Sequence, residues 1–402
     1  MLAHKTNSAA MEATGSSLSP RTSLKTKCRN SLAGALYHSG LLRVVRKLEG
    51  PYEFSSSDGL AAGRFRRIAS SKFGILCYHR VGTEGVPLFS RLDPDVFAAQ
   101  MRYLRSAYRL VSLGQLCEEL QDNRQGEPTL AITFDDGYRD LYTHAFPVLQ
   151  RYGIPATIYL VGHCMETGEA SWYDQLFAAV VFCQEGMIEV DLDKRTRYLL
   201  PNRSARMAAT WDIICYLRSI PNAERLRWCA AFLERVPAPA AEVRDRMLNW
   251  SQVREMQAKG VSFGAHTMTH PSVGRLDHGE LQRELLESKT LLEKGLNASF
   301  DDFAYPFGKP SDCLASAEVL FGQAHYRSAV TTEPGYNTQL SNCYQLRRIQ
   351  ISDDPSISSF AFNIFRMFLE GPSFAPLGGL GIPAPQDSES RSTGITVDTD
   401  HA

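Results

Sequence analysis

The chain has 402 residues, 44% of them hydrophobic, enough for a sizeable core. Its formal net charge of -1 gives no global attraction for nucleic acid or for an acidic polymer. No run approaches the ~18 apolar residues of a membrane span, and the nine cysteines include no Cys-x-x-Cys pair, so they read as reduced thiols and not as a zinc knuckle or disulfide framework.

Residues 1–30 are rich in Ser, Thr and Lys and lack the apolar core of an export signal. They read as a disordered, mildly basic tail, and the expected location is the cytoplasm. Residues 31–72 read as a helical segment and a linker. In 31–48, Leu32, Leu36, Leu41, Leu42 and Val45 are apolar, and Arg43, Arg46 and Lys47 lie near the C-terminal end, where cations suit the helix dipole. Docking on the body of the protein is the simpler use of this helix; peripheral contact with a membrane is the alternative.

From Phe73 short apolar runs alternate with helical stretches, the pattern of βα repeats. The expected strands are Gly74–Tyr78, Leu130–Phe134, Ala156–Val161, Val261–Ala265, Phe303–Tyr305, Ser328–Thr331 and Leu346–Ile351. The expected helices are Asp95–Arg109, Arg139–Tyr152, Gly279–Gly295 and Ser311–Gln323, with Gly153 and Gly295 marking helix ends. Residues 165–250 break the rhythm. They hold an alternating piece, Met187–Leu192, then mostly helical sequence to Val236, and read as an insertion between two strands that could serve as a lid or a groove wall. Residues 353–370 carry a helix that is apolar almost all round, through Ile357, Phe360, Phe362, Ile364, Phe365, Met367 and Phe368, so it is expected to be buried or in an interface. Residues 371–402, rich in Gly, Pro, Ser and Asp, read as a disordered tail.

Four motifs follow apolar runs, where functional residues of barrel-like α/β folds gather. Asp135 and Asp136 follow Leu130–Phe134 and precede Gly137. Strand alternation sends neighbouring side chains different ways, so one carboxylate can bind metal while the other accepts a proton; a simple Asp-Asp-Gly turn is the alternative. His266 and His270 have the i, i+4 spacing that puts two imidazoles on one face of a helical turn. Two His and one Asp with open positions suit a catalytic zinc site better than a closed structural one. His79, after Gly74–Tyr78, could contact substrate, support the site or donate a proton, and a core histidine is an equal reading. Tyr305, Pro306 and Phe307 precede Gly308. They could wall a sugar groove, with the Tyr305 N–H near a scissile carbonyl, or form a packed turn. Trp172, Tyr173 and Trp250 read as core or groove-rim aromatics.

At these residues the chain resembles the NodB-type polysaccharide deacetylases, carbohydrate esterase family four. Thr133–Gly137 is similar to the first family motif, and His266–His270 to the second. Phe73–Gly82 and Tyr305–Gly308 are similar to an exopolysaccharide-associated subgroup. The resemblance covers residues 73–352 apart from the insertion. It implies an α/β fold, a distorted (β/α) barrel with fewer than eight repeats. It further implies Asp135 as general base and Asp136, His266 and His270 as ligands of a divalent metal, zinc first and cobalt or another divalent ion as alternatives. The expected partner is an acetylated glycan, a polysaccharide or lipid-linked oligosaccharide. Two features depart from the family. The family's third motif carries an arginine that positions the base, and none is assigned to that role before Tyr305; and Leu346-Arg347-Arg348-Ile349 stands where a Leu-x-His histidine would supply the general acid. His79 is the first substitute for the acid, and Arg348 could orient Asp135 or form a surface ion pair. An O-acetyl esterase using the same site and a catalytically silent glycan-binding protein are the rival functions.

Overall fold

Phe73–Tyr78 (β1) and Thr129–Phe134 (β2) are buried at every position, as parallel strands covered on both faces must be. The computed structural model describes residues 72–83, 91–122, 127–244, 246–313, 317–354 and 356–370, with short pieces at 33–35, 39, 52–53, 66–67 and 395–396. The helix expected over 31–48 lies outside the described residues apart from a few positions.

Further strands are Thr157–Leu160 (β3), Met187–Asp191 (β4), Arg195–Leu199 (β5), Ser262–Ala265 (β6), Asp302–Ala304 (β7), Ser328–Val330 (β8) and Ile349–Gln350 (β9). Seven of these nine form the path of one parallel sheet in the order β8-β7-β6-β3-β2-β1-β9, and the two-residue strand Arg109–Leu110 pairs with β2 beside it. The sheet curls into a distorted barrel. Its two ends approach each other through the stretch leading into β9: Leu346 bridges Val330 of β8, while Ile349 pairs with Leu76 of β1. All seven expected strands are present, each within a few residues of its sequence limits.

Helices cover the sheet. Pro94–Ala107 (α1) begins at Asp93, whose carboxylate accepts from the N–H groups of Asp95 and Val96, with Pro94 in the first turn where its missing N–H is harmless. His278–Leu296 (α2) opens with a capping box between Asp277 and Glu280 and ends at Asn297, φ 52°. Gly295 therefore does not end this helix. A β-carbon there would lie 2.1 Å from the Trp250 indole, so the glycine makes room for the tryptophan. The C-terminal helix Ile357–Glu370 (α3) is more one-sided than its sequence suggests. Phe360, Ala361, Ile364, Met367 and Phe368 are buried, and Met367 and Leu130 close over Gly74 of β1. Phe362 and Phe365 stay half-buried and Leu369 is exposed. No helix among the described residues is long and apolar enough to cross a membrane.

Between β3 and β6 lies the insertion. Strands β4 and β5 form an antiparallel hairpin; the second was not expected from the sequence. They pack with Trp172–Val181 (α4), Arg203–Ser219 (α5) and Asn222–Arg235 (α6) around a core of their own that includes Trp172, Leu176, Phe177, Ile213, Leu217 and Phe232. Ile395–Thr396, in the tail expected to be disordered, pairs with β5. The eight described cysteines are all free.

Candidate active site

The C-terminal ends of β1, β2, β6 and β7 bring His79, Asp135, Asp136, His266, His270 and Phe307 to one mouth of the barrel. Backbone strain concentrates there. Asp136 (φ 72°), Thr267 (φ 62°), His270 (φ 54°) and Phe307 (φ 62°) are four of the six non-glycine residues with positive φ among those described, and such conformations persist only when the surroundings hold them.

The two adjacent carboxylates part company as strand geometry requires. Asp135 turns to Arg348, whose Nη1 and Nη2 donate to its Oδ1 and Oδ2 at 2.7 Å each. Arg348 also donates to the Thr331 carbonyl and to the Thr133 hydroxyl, and it is fully buried. The arginine that orients Asp135 thus comes from the stretch entering β9; Arg348 is not a surface ion pair. Burial pushes the Asp135 carboxyl up, but Arg348, helped by His266, holds it below the ordinary value. The same carboxylate also meets the Cys77 thiol, 3.4 Å from Oδ2, and the His79 Nε2, 4.0 Å from Oδ2.

Asp136 turns the other way. Its Oδ1 lies 3.5 Å from His266 Nε2 and 3.4 Å from His270 Nε2. The two imidazole centroids are 4.8 Å apart. This convergence does not come from a helical turn, as the spacing suggested. Residues 266–271 form a loop, and left-handed backbone at Thr267 and His270 folds the rings together.

The pocket suits a cation. His266 Nδ1 lies 2.7 Å from the Ala304 carbonyl; a carbonyl only accepts, so Nδ1 carries a proton, and Nε2 is the ring nitrogen turned to Asp136. Asp136 Oδ2 and His270 Nδ1 are buried without a hydrogen-bond partner among the described residues. Burial opposes charge on Asp136, yet the two histidines hold its carboxyl well below the usual range. Burial likewise opposes a charged His266, but Asp136 and Asp135 raise it on balance, while burial pushes His270 down to about 4. Carboxylate and imidazole donors converging with open positions fit a divalent ion. A second group, Cys77, His79 and Asp135, is also close enough to hold one. The Arg348 guanidinium on Asp135 puts positive charge there already, so the Asp136 group is the better site.

The Tyr-Pro-Phe-Gly turn differs from expectation. Tyr305 is 1% exposed and packs edge-on against Phe303 and Phe321, and Pro306 is buried as well, so neither walls a groove. The Tyr305 N–H donates to the Val330 carbonyl within the sheet and is not free for a substrate. Two residues on, the Phe307 N–H makes no hydrogen bond among the described residues, and its half-buried ring stands 5.0 Å from His270 and under the Arg218 guanidinium. Trp172, from the insertion, donates its indole N–H to the His270 carbonyl, and the Tyr173 ring lies 4.7 Å from the imidazole.

The sequence pattern of the family described as polysaccharide deacetylase matches residues 122–323. The Bacillus subtilis (strain 168) protein YxkH, provisionally named a polysaccharide deacetylase, is 25% identical over 297 residues, 73% of this chain and 76% of that protein. The poly-beta-1,6-N-acetyl-D-glucosamine N-deacetylase of Escherichia coli (strain K12) is 33% identical over 101 residues, 24% of this chain and 15% of that protein. Among solved structures, the Streptococcus pyogenes deacetylase PplD in complex with acetate superposes with a TM-score of 0.50 at 20% identity, covering 74% of this chain and 98% of that one. This last likeness is one of fold.

Proposed function

The chain belongs to the polysaccharide deacetylase family, and from that premise we propose that it hydrolyses N-acetyl groups of a glycan with a divalent metal ion, zinc first, held by Asp136, His266 and His270. The observation that carries this reading is the division of labour between adjacent aspartates: Asp136 faces two imidazoles while Asp135 sits in the fork of Arg348. The name of the E. coli relative, an N-deacetylase of an N-acetylglucosamine polymer, supports an N-acetylated hexosamine as substrate.

When bound, such an ion polarises the amide carbonyl and acidifies a water molecule. Asp135, fixed by Arg348, accepts the proton of the attacking water. The Phe307 N–H meets the oxygen on which negative charge develops. His79, 4.0 Å from Asp135 and partly exposed at the mouth, donates a proton to the leaving nitrogen as the carbon–nitrogen bond breaks, replacing the histidine missing at Leu346–Ile349. Acetate and a free sugar amine result.

The test is acetate release from N-acetylglucosamine oligomers by protein stripped of metal and re-supplied with zinc or cobalt. Release restored by the metal supports the reading. Release that never depended on metal, or full activity in His270→Ala, would remove the metal from the mechanism. Release from O-acetylated glycans alone would move the substrate class.

A further inference from the structure

The loop carrying His270 is held from outside the barrel. Asn222 and Arg225 lie three residues apart on the first turn of α6, on one face of the helix. Arg225 is 2% exposed. Its Nη2 donates to the Thr269 carbonyl at 3.0 Å, and both Nε and Nη2 donate to the Asn222 side-chain oxygen. The guanidinium stacks on the Trp172 ring, 4.7 Å from its centroid, and that indole donates to the carbonyl of His270 itself at 3.1 Å. From the opposite side Glu284 of α2 accepts from the N–H groups of Met268 and Thr269 at 2.7 and 2.9 Å and from the Thr269 hydroxyl. Asn222 joins the two sides, donating to Glu284 at 3.4 Å.

A buried guanidinium and a buried carboxylate therefore clamp consecutive peptide groups between Thr267 and His270, the two residues of this loop with left-handed backbone. Without such ties the loop would relax towards ordinary φ values, and His270 Nε2 would swing off Asp136. The insertion supplies the ties to the Thr269 and His270 carbonyls, and its Asn222 and Arg225 also donate to the Thr269 hydroxyl at 3.4 and 3.3 Å.

We infer that Arg225 is a positioning residue for the His266–His270 loop and that, through it, the insertion sets the affinity of the site for its ion. This rests on the metal reading above. A lysine cannot reproduce the device, because one ammonium lacks the planar fork that reaches Asn222 and Thr269 together and stacks on Trp172.

The experiment measures zinc affinity by competition with a chromogenic chelator, and the visible absorption of the cobalt-loaded full chain, neither of which requires turnover. In Arg225→Met the dissociation constant for zinc is expected to rise by about 10–100-fold, with a changed cobalt band. Arg225→Lys should fall between. Arg227→Met, exposed on the same helix, should match the wild type. Trp172→Phe keeps the aromatic packing and removes only the N–H to His270, so a smaller loss in the same direction is expected, and it decides the matter if Arg225→Met fails to fold. Wild-type affinity and cobalt spectrum in folded Arg225→Met, or in Trp172→Phe where the first variant does not fold, would overturn the inference alone. Absence of metal binding in the wild type would overturn the metal reading and this inference with it.

Discussion

Arg348 and Asp135 stand 213 residues apart in the chain and meet through two parallel hydrogen bonds in a wholly buried site. Planar guanidinium and planar carboxylate match edge to edge, the strong form of such a pair. Replacing Arg348 by Met leaves a carboxylate buried without its counter-charge. We expect a stability loss of about 3–5 kcal/mol in urea unfolding, with a deep loss of turnover. Arg348→Lys should lose less stability than Arg348→Met and still turn over slowly. Wild-type stability in Arg348→Met would mean the pair is not what holds Asp135.

Asp135→Asn separates the two aspartates by function. The side chain keeps its shape and cannot accept a proton. Metal content should stay near the wild-type value, because Asp136, His266 and His270 are untouched, while kcat falls by about 10²–10⁴-fold. Metal analysis and acetate release on the same preparation decide it; turnover near the wild-type rate would remove Asp135 as base.

His79 should matter in proportion to how badly the leaving group needs a proton. His79→Ala is expected to lose most of its activity on N-acetylated sugars, whose amine leaves poorly unprotonated. It should keep most of its activity on 4-nitrophenyl acetate, whose leaving group departs as the anion. Equal losses on both substrates would assign His79 to binding or packing instead.

Asp174 predicts a pH signature in stability. Tyr138 donates its hydroxyl to Asp174 at 2.8 Å. Burial pushes this carboxyl up to about 7; Arg80 and Arg246 oppose the rise and Asp136 adds to it. The folded protein therefore keeps a proton that the unfolded chain releases near pH ~3.9. With more protons on the native state, stability falls as pH rises from about 4 to about 7, and the loss levels off above that. Asp174→Asn cannot ionise, so it should match the wild type near pH 4 and gain on it by up to about 4 kcal/mol by pH 8. Urea midpoints across that range check the slope; parallel profiles would show that Asp174 ionises no differently in the folded protein.

Strand ends are legible in this sequence because each apolar run stops at a residue that cannot be buried without a partner. Phe134 gives way to Asp135, Ala265 to His266 and Tyr78 to His79. The partner of Asp135 is harder to read, since two adjacent arginines, 347 and 348, look alike on paper. Only the pairing of Ile349 with Leu76 decides that Arg348 points into the barrel, while Arg347 reaches the Pro334 carbonyl. The Tyr-Pro-Phe-Gly turn misleads for a related reason. Which N–H is free depends on Tyr305 still being hydrogen-bonded to the sheet and on Phe307 adopting a positive φ. The hairpin strand Arg195–Leu199 does alternate, with Thr196 and Tyr198 inward, but its outward arginines disguise the pattern. The clamp on the histidine loop has no local signature, because Arg225, Thr269 and Glu284 belong to three separate elements.

The stretch from Leu346 to Gln350 touches both ends of the curled sheet and carries Arg348 between them. Mechanical completion of the fold and electrical completion of the site are therefore one event. Without this stretch in place Asp135 would have neither its counter-charge nor its fixed orientation. Loosening the seam would therefore open the sheet and strip Asp135 of its partner together, so that the closure of the barrel and the orientation of this carboxylate stand or fall as one.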